Sequence, residues 1–481
     1  MIVIIVNEWK ILVRNRSIVY VSLIFILSII SLAWVSNVQS ENQSKAQAAA
    51  EKHIRSQWDN LEPMNPHRAA HYGVYVFKPI SILNSLDDGV SSITGNVLKL
   101  EGHVQNEIVH SEASQSITIS KFGKLKPSII LQYVVPLFLI FLSFGSITND
   151  KETGRMKLIA LQGVSPEKLV LSKSISIWLY GLMLIMFSVL LQSLLGSLAL
   201  DAGLRLGLTF ISYGLYYLIV VFLSTFISVN FRNNTSAISL LLATWIVWTI
   251  FLPKIWGNTV EKVHILPSRQ NFIAQMKEDR SKGIDGHNPR DERRSKLEKE
   301  YLIKYKVDSL SQLPINFDGI VMQADEEYGN QVWDKHFGNN YLIYQKQKKL
   351  YQLSGLLNPF SSLQNLSMGF CGSDMIHHLD FLKKAENYRR YLIKTLNDKH
   401  AHGGSRTGEW RWTVDNTFFR SVKTFDYQTM LIKNHIGNYL FDILALIAWA
   451  IFAGSLMRYK IKRDILLLSL IHISEPTRPP E

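Results

Sequence analysis

Cys371 is the only cysteine among 481 residues, so an intrachain disulfide, a thiolate zinc site and CxxC redox chemistry are all excluded. The phosphate-cradling GxxxxGK[ST] pattern is missing, which removes ATP hydrolysis by that route from this chain. HExxH, GxSxG and the dinucleotide-binding glycine fingerprint are missing too. No catalytic residue is assigned. The net charge is +13, but no basic stripe with interleaved aromatics accompanies it, and nucleic acid is not an expected partner. If energy drives this protein, another subunit supplies it.

Long apolar runs are abundant. They come in blocks of about twenty, the length that crosses a bilayer. The spacing predicts six spans at 17–36, 128–147, 174–200, 208–229, 236–256 and 436–457. The first run is too long for a signal peptide, and no A-x-A-like site closes it. Pro136 in the second span is expected to be tolerated because protein neighbours can satisfy the carbonyl it frees. Gln132 and Gln192 are expected to bond between helices.

Cations decide the orientation. The short segments expected inside (1–16, 148–173, 230–235 and 458–467) hold three, five, one and four Lys or Arg; the short outer turn 201–207 holds only Arg205. Both termini are therefore expected in the cytoplasm. The fold class is a polytopic α-helical membrane protein with six transmembrane helices and two extracytoplasmic insertions. The first, 37–127, is expected to be mixed α/β or irregular. Within it 39–56 is helical, continuing span one outward, and SQSITIS at 114–120 alternates like a strand. The second, 257–434, is mainly helical, with helices near 290–305, 324–353 and 374–397 and a turn followed by an apolar patch at 357–370.

The segment 149–173, NDKETGRMKLIALQGVSPEKLVLSK, reads as two short helices. One runs from about Asp150 to Gln162, ended by Gly163. The other is capped by Ser165, with Pro166 at its first position and Glu167 near the positive end of its dipole. Residues 1–16 are amphipathic, with Trp9 among Glu8, Lys10, Arg14 and Arg16, and suit a helix lying in the membrane interface. Asp442, with Asn438 one turn before it, sits inside span six as a candidate intramembrane polar site. His67 and His71 are one helical turn apart, His377 and His378 adjacent, and His400 and His402 flank one residue. None of these spacings matches a defined metal site, and no metal ligand is assigned. The end, LSLIHISEPTR, looks like the translation of a sequencing-library adapter, so 468–481 reads as an artefact.

EWKILVRNR before span one and NDKETGRMKLIALQGVSPEKLVLSK after span two resemble the permease subunits of type-2 ABC transporters. NPHRAAHYGVYVFKP, LEGHVQNE and NPFSSLQNLSMGFCGSD, followed by HHLDFLKKAENYRRYLI, look like a bacterial subgroup with two large extracytoplasmic insertions, related to gliding-motility and copper-maturation permeases. The resemblance covers nearly all of 1–467. It implies a six-span half-transporter in the bacterial inner membrane that dimerises, with itself or a sister permease, on a pair of ATPase subunits. ATP-Mg would bind those subunits, and this chain would hold no cofactor. Glu152, Gly154, Arg155, Gly163 and Val164 to Leu171, including Ser165, Pro166, Glu167 and Leu169, would meet the ATPase. Glu8 to Arg16 would form the interfacial elbow. The implied function is export of an unknown substrate; the alternative is ATP-driven mechanotransmission to a periplasmic partner. A metallo-enzyme built on the outer histidines has no motif to support it.

Overall fold

The computed structural model describes residues 1–108, 125–195, 201–231 and 234–473. The 114–120 stretch expected as a strand lies outside them, as do part of the 230–235 turn and residues 474–481. Among the described residues, six helices are long and apolar enough to cross a membrane: Arg16–Asp59, Pro127–Asp150, Pro166–Leu195, Ala202–Asn230, Asn234–Val263 and Ile432–Tyr459. They correspond in order to the six expected spans. Spans two, three and four make the centre, where Leu131, Val135, Leu139, Leu184, Tyr213, Tyr217 and Val221 are buried.

Two prolines in the spans each sit behind a π-turn. In span two the turn is Ile130–Val134, and the Val135 N–H reaches back five residues to the Ile130 carbonyl. The next bond in that series would come from Pro136, which has no N–H, so the Leu131 carbonyl is left free. The Tyr217 hydroxyl of span four donates to it at 2.8 Å. Span five repeats the device. Its turn is Val247–Phe251, Leu252 N–H bonds the Val247 carbonyl, and Pro253 leaves the Trp248 carbonyl without its helical donor. Asn358 Nδ2 donates to it at 2.8 Å.

Asn358 also caps the helix Pro359–Cys371, and here the structure departs from expectation. The patch near 357–370 is a helix, wedged among the spans, with Phe360, Leu363, Leu366 and Phe370 fully buried. At thirteen residues it is too short to cross a bilayer and has the length of a buried core helix. Gly369 permits its closest approach, since a Cβ there would lie 2.1 Å from the Tyr439 ring. Arg205 is corrected as well. It lies in the first turns of a helix beginning at Ala202, not in a turn over 201–207, and is fully buried. Its guanidinium pairs with Asp201 at 2.9 Å and donates to the carbonyls of Phe370 at 3.1 Å and Met430 at 2.6 Å.

Both insertions gather at one end of the bundle. Span one continues beyond the bundle as a single 44-residue helix to Asp59. The first insertion adds the helix Pro66–Tyr72 and an antiparallel pair, Val74–Phe77 with Val97–Leu100. The second adds Arg269–Lys282, Arg290–Tyr305, Phe317–Gln352 and Met375–His402. Trp58, Ala69, Leu392, Leu396 and Phe419 share one core, so the two insertions form one packed assembly. At the far end of the chain the last helix runs on to Ile473, through the expected tail.

Asn358→Ala removes a cap and orphans the Trp248 carbonyl, and each loss costs about 1–2 kcal/mol. Thermal unfolding of the detergent-solubilised protein should show a midpoint several degrees lower; an unchanged midpoint would refute this use of Asn358.

Candidate functional site

The end of the bundle opposite the insertions holds the segment between spans two and three. The helix of span two runs on to Glu152. A break follows at Gly154, φ +70°, then a short helix Arg155–Leu161, a second left-handed glycine at Gly163, φ +84°, and the start of span three at Pro166. The expected pair of helices is therefore redistributed: no helix starts at Asp150, and the second is the first turns of span three. A side chain at either glycine would be strained by its backbone alone, since nothing lies within 4 Å of a Cβ there. Ser165 Oγ accepts from the Lys168 N–H at 3.4 Å, as a cap should.

Charge ties this segment down. Lys173 Nζ, nearly buried, pairs with Glu8 at 2.9 Å and Asp150 at 3.1 Å. Arg155 reaches Asp150 from the other side at 3.3 Å, and Glu167 pairs with Arg458 of span six at 3.3 Å. The helix Ile2–Arg14 is thereby fastened to the entry of span three, with Trp9 packed against the bundle core and Lys10, Arg14 and Arg16 exposed. Asn15 separates it from span one and caps the latter through Ser17 N–H at 3.1 Å.

Not every expected contact residue is available. Val164, Ser165, Pro166 and Glu167 are half-buried and Gly163 exposed, but Leu169 is 3 % exposed and packs inward. Its assignment to a docking surface is corrected: one helical step past Lys168 it faces the bundle. The Glu152 side chain lies outside the described residues. Two residues not singled out in the sequence stand out instead. Leu158 and Leu161, three apart on the short helix and so on one face, are 62 % and 81 % exposed. Their i, i+3 spacing between charged flanks was the available signal.

Asp442 and Asn438 part company. Asp442 is fully buried and accepts from Gln352 Nε2 at 2.7 Å and Asn365 Nδ2 at 3.3 Å. Asn438 is exposed, gives its backbone carbonyl to Gln352 at 3.0 Å, and lines a cleft of about 1240 Å3 in the outer assembly with Trp333, Lys348 and Arg390. Asp442 thus joins span six to the long helix Phe317–Gln352 and to the wedged helix. Gln132 bonds between helices as expected, donating to Tyr213 at 2.9 Å, whereas Gln192 accepts from Ser85, in a turn of the first insertion, at 2.5 Å. In the outer assembly His400 is locked by Asn65 and Asn316, while His67 and His71 meet a third histidine, His103.

Residues 64–259 match the family described as ABC-2 family transporter protein, and 269–428 match a domain of unknown function (DUF3526). The first match supports an ABC-2 type permease. The permease match spans much of the first insertion and spans two to five, and so contains the whole Asp150–Lys173 segment. The second match coincides with the second insertion. Permeases of this kind are the membrane components of ABC transporters, generally lack ATPase activity and work with an ABC ATPase subunit. No curated protein matches the chain.

Replacing Lys173 by Met leaves Glu8 and Asp150 facing each other without their shared cation. Breaking a buried pair in this way costs about 3 kcal/mol or more. Hydrogen exchange should rise in the Ile2–Arg14 helix of the permease and in the first turns of span three; unaltered protection there would contradict the role given to Lys173.

Proposed function

We propose that this permease is the membrane subunit of an inner-membrane exporter in a bacterium, and that residues 153–167 are the surface on which a separate ATPase pair sits. The observation that carries this reading is the exposure of Leu158 and Leu161 on a helix bracketed by two left-handed glycines. Two large apolar side chains so exposed beyond the spans call for a protein partner. The positive-inside charge balance supports a cytoplasmic position for that helix, where an ATPase would be. The Glu8–Lys173–Asp150 cluster gives a path from the docked surface into spans two and three.

The permease acts as one of two membrane halves. Span five buries little of itself within the chain, and its exposed face, Leu240, Val247, Ile250 and Phe251, is offered to lipid or to a second copy or sister permease. Nucleotide-driven closure of the ATPases would bias two packings of spans two and five.

A second reading has its own support. The unbroken 44-residue helix from Arg16 to Asp59 is a strut that would carry motion of the bundle into the outer assembly and on to a periplasmic partner, with nothing crossing the bilayer. Proline at exposed Ala49 would break that strut at a local cost of about 3 kcal/mol. Ala49→Pro should leave transport intact if the permease is an exporter and abolish function if it is a mechanotransmitter.

Docking is tested by Leu161→Asp and Gly154→Val. Losing an apolar anchor costs about 2 kcal/mol of association, roughly thirty-fold. Membrane insertion should be unchanged, while ATPase stimulation in the reconstituted complex falls toward the rate of the free ATPase. Full stimulation in both variants would remove the loop from the interface.

A further inference from the structure

We propose that His67, His71 and His103 form a binding site for one divalent d-block cation, of the zinc class, where the two outer insertions meet. Asn65 caps the helix Pro66–Tyr72, bonding the His67 N–H at 2.9 Å. This sets His67 and His71 one turn apart on one face, with their Nε2 atoms 3.1 Å apart. Two nitrogens bound to one tetrahedral zinc at 2.0–2.1 Å lie roughly 3.3 Å from each other. The third imidazole comes from a tight turn. The Gly102 N–H bonds the Ala70 carbonyl at 2.9 Å, laying that turn against the helix and bringing His103 over it. One ligand atom from each of the three histidines lies within 4.8 Å of the others.

The backbone of His103 is unusual for a residue with a side chain, with φ +66°. Such a conformation persists where the surroundings enforce it, and functional sites are where it gathers. Here the enforcement comes from the second insertion. Glu326 receives the His103 N–H, and Arg280 donates to the His103 carbonyl. Glu326 Oε1 also lies 2.8 Å from His103 Nδ1, and Arg389 holds the carboxylate at 3.2 Å. A carboxylate on one ring nitrogen fixes the tautomer and leaves the lone pair of Nε2 for a metal. His71 is exposed, which leaves a side of the site open, as in three-ligand sites that keep a position for water or an exchangeable ligand. Imidazole donors select late first-row cations over calcium or magnesium. Glu326 and Arg389 belong to the second insertion and the three histidines to the first, so the cation would bind at the seam between them.

Full-length protein in lipid nanodiscs, stripped with a chelator, is titrated with Zn2+ and analysed for bound metal; Co2+ serves as the spectroscopic probe. The expected result is one zinc per chain and visible ligand-field bands with cobalt. His71→Ala and His103→Ala each lose stoichiometric binding, Glu326→Gln weakens it about 10–100-fold, and exposed His402→Ala leaves it unchanged. His71 is at the surface, so its variant keeps the fold, which the thermal midpoint verifies. Absence of stoichiometric zinc in the wild type, binding retained in both His71→Ala and His103→Ala, or equal loss in His402→Ala would each overturn the site.

Discussion

A backbone carbonyl freed inside an apolar slab must find a donor within the protein, because no water is there to supply one. This constraint shapes the chain more than any single apolar contact. Pro136 and Pro253 each interrupt a span behind a π-turn, and each freed carbonyl is met from another element: Leu131 by Tyr217, Trp248 by Asn358. The first bond fastens span two to span four. The second fastens span five to the head of the wedged helix Pro359–Cys371, which belongs to the second insertion. A local defect in two helices is thus turned into tertiary connection.

The wedged helix carries this further. Its C-terminal carbonyls are held by Arg205 at the start of span four, and Asn365 reaches Asp442 of span six. One element of the outer assembly therefore bonds to spans four, five and six, while span one enters that assembly as a continuous helix. At the opposite end Lys173 draws the Ile2–Arg14 helix, span two and span three into one cluster. Force applied at residues 153–165 has a bonded route through the bundle to the outer assembly, whether the result is passage of a substrate or movement of a partner.

The six spans were legible in the sequence because an uncharged apolar block of about twenty residues matches the thickness of a bilayer and little else. The cap at Ser165 was legible through local chemistry: its side chain bonds an amide three residues away. The wedged helix was not. Buried nearly all round, it has no polar stripe to mark its period, and its serines and Asn365 face partners known only from the fold. Arg205 read as the cation of a short outer turn because its carbonyl partners at Gly369, Phe370 and Met430 are far away in the chain. His103 lies thirty-two positions beyond His71, and only the turn at Gly102 brings them together. Leu169 was misplaced by treating a capped loop as surface throughout, when its helix enters the bundle within one turn.

In the proposed arrangement the helix Arg155–Leu161 faces the ATPase while the helical second insertion faces the other way. A photo-crosslinking amino acid placed in turn at Leu161 and at Ile303, both highly exposed, tests it in membranes containing the permease and its ATPase. A covalent adduct with the ATPase is expected from position 161 and none from position 303. An adduct from 303, or none from 161 with the complex intact, would contradict it.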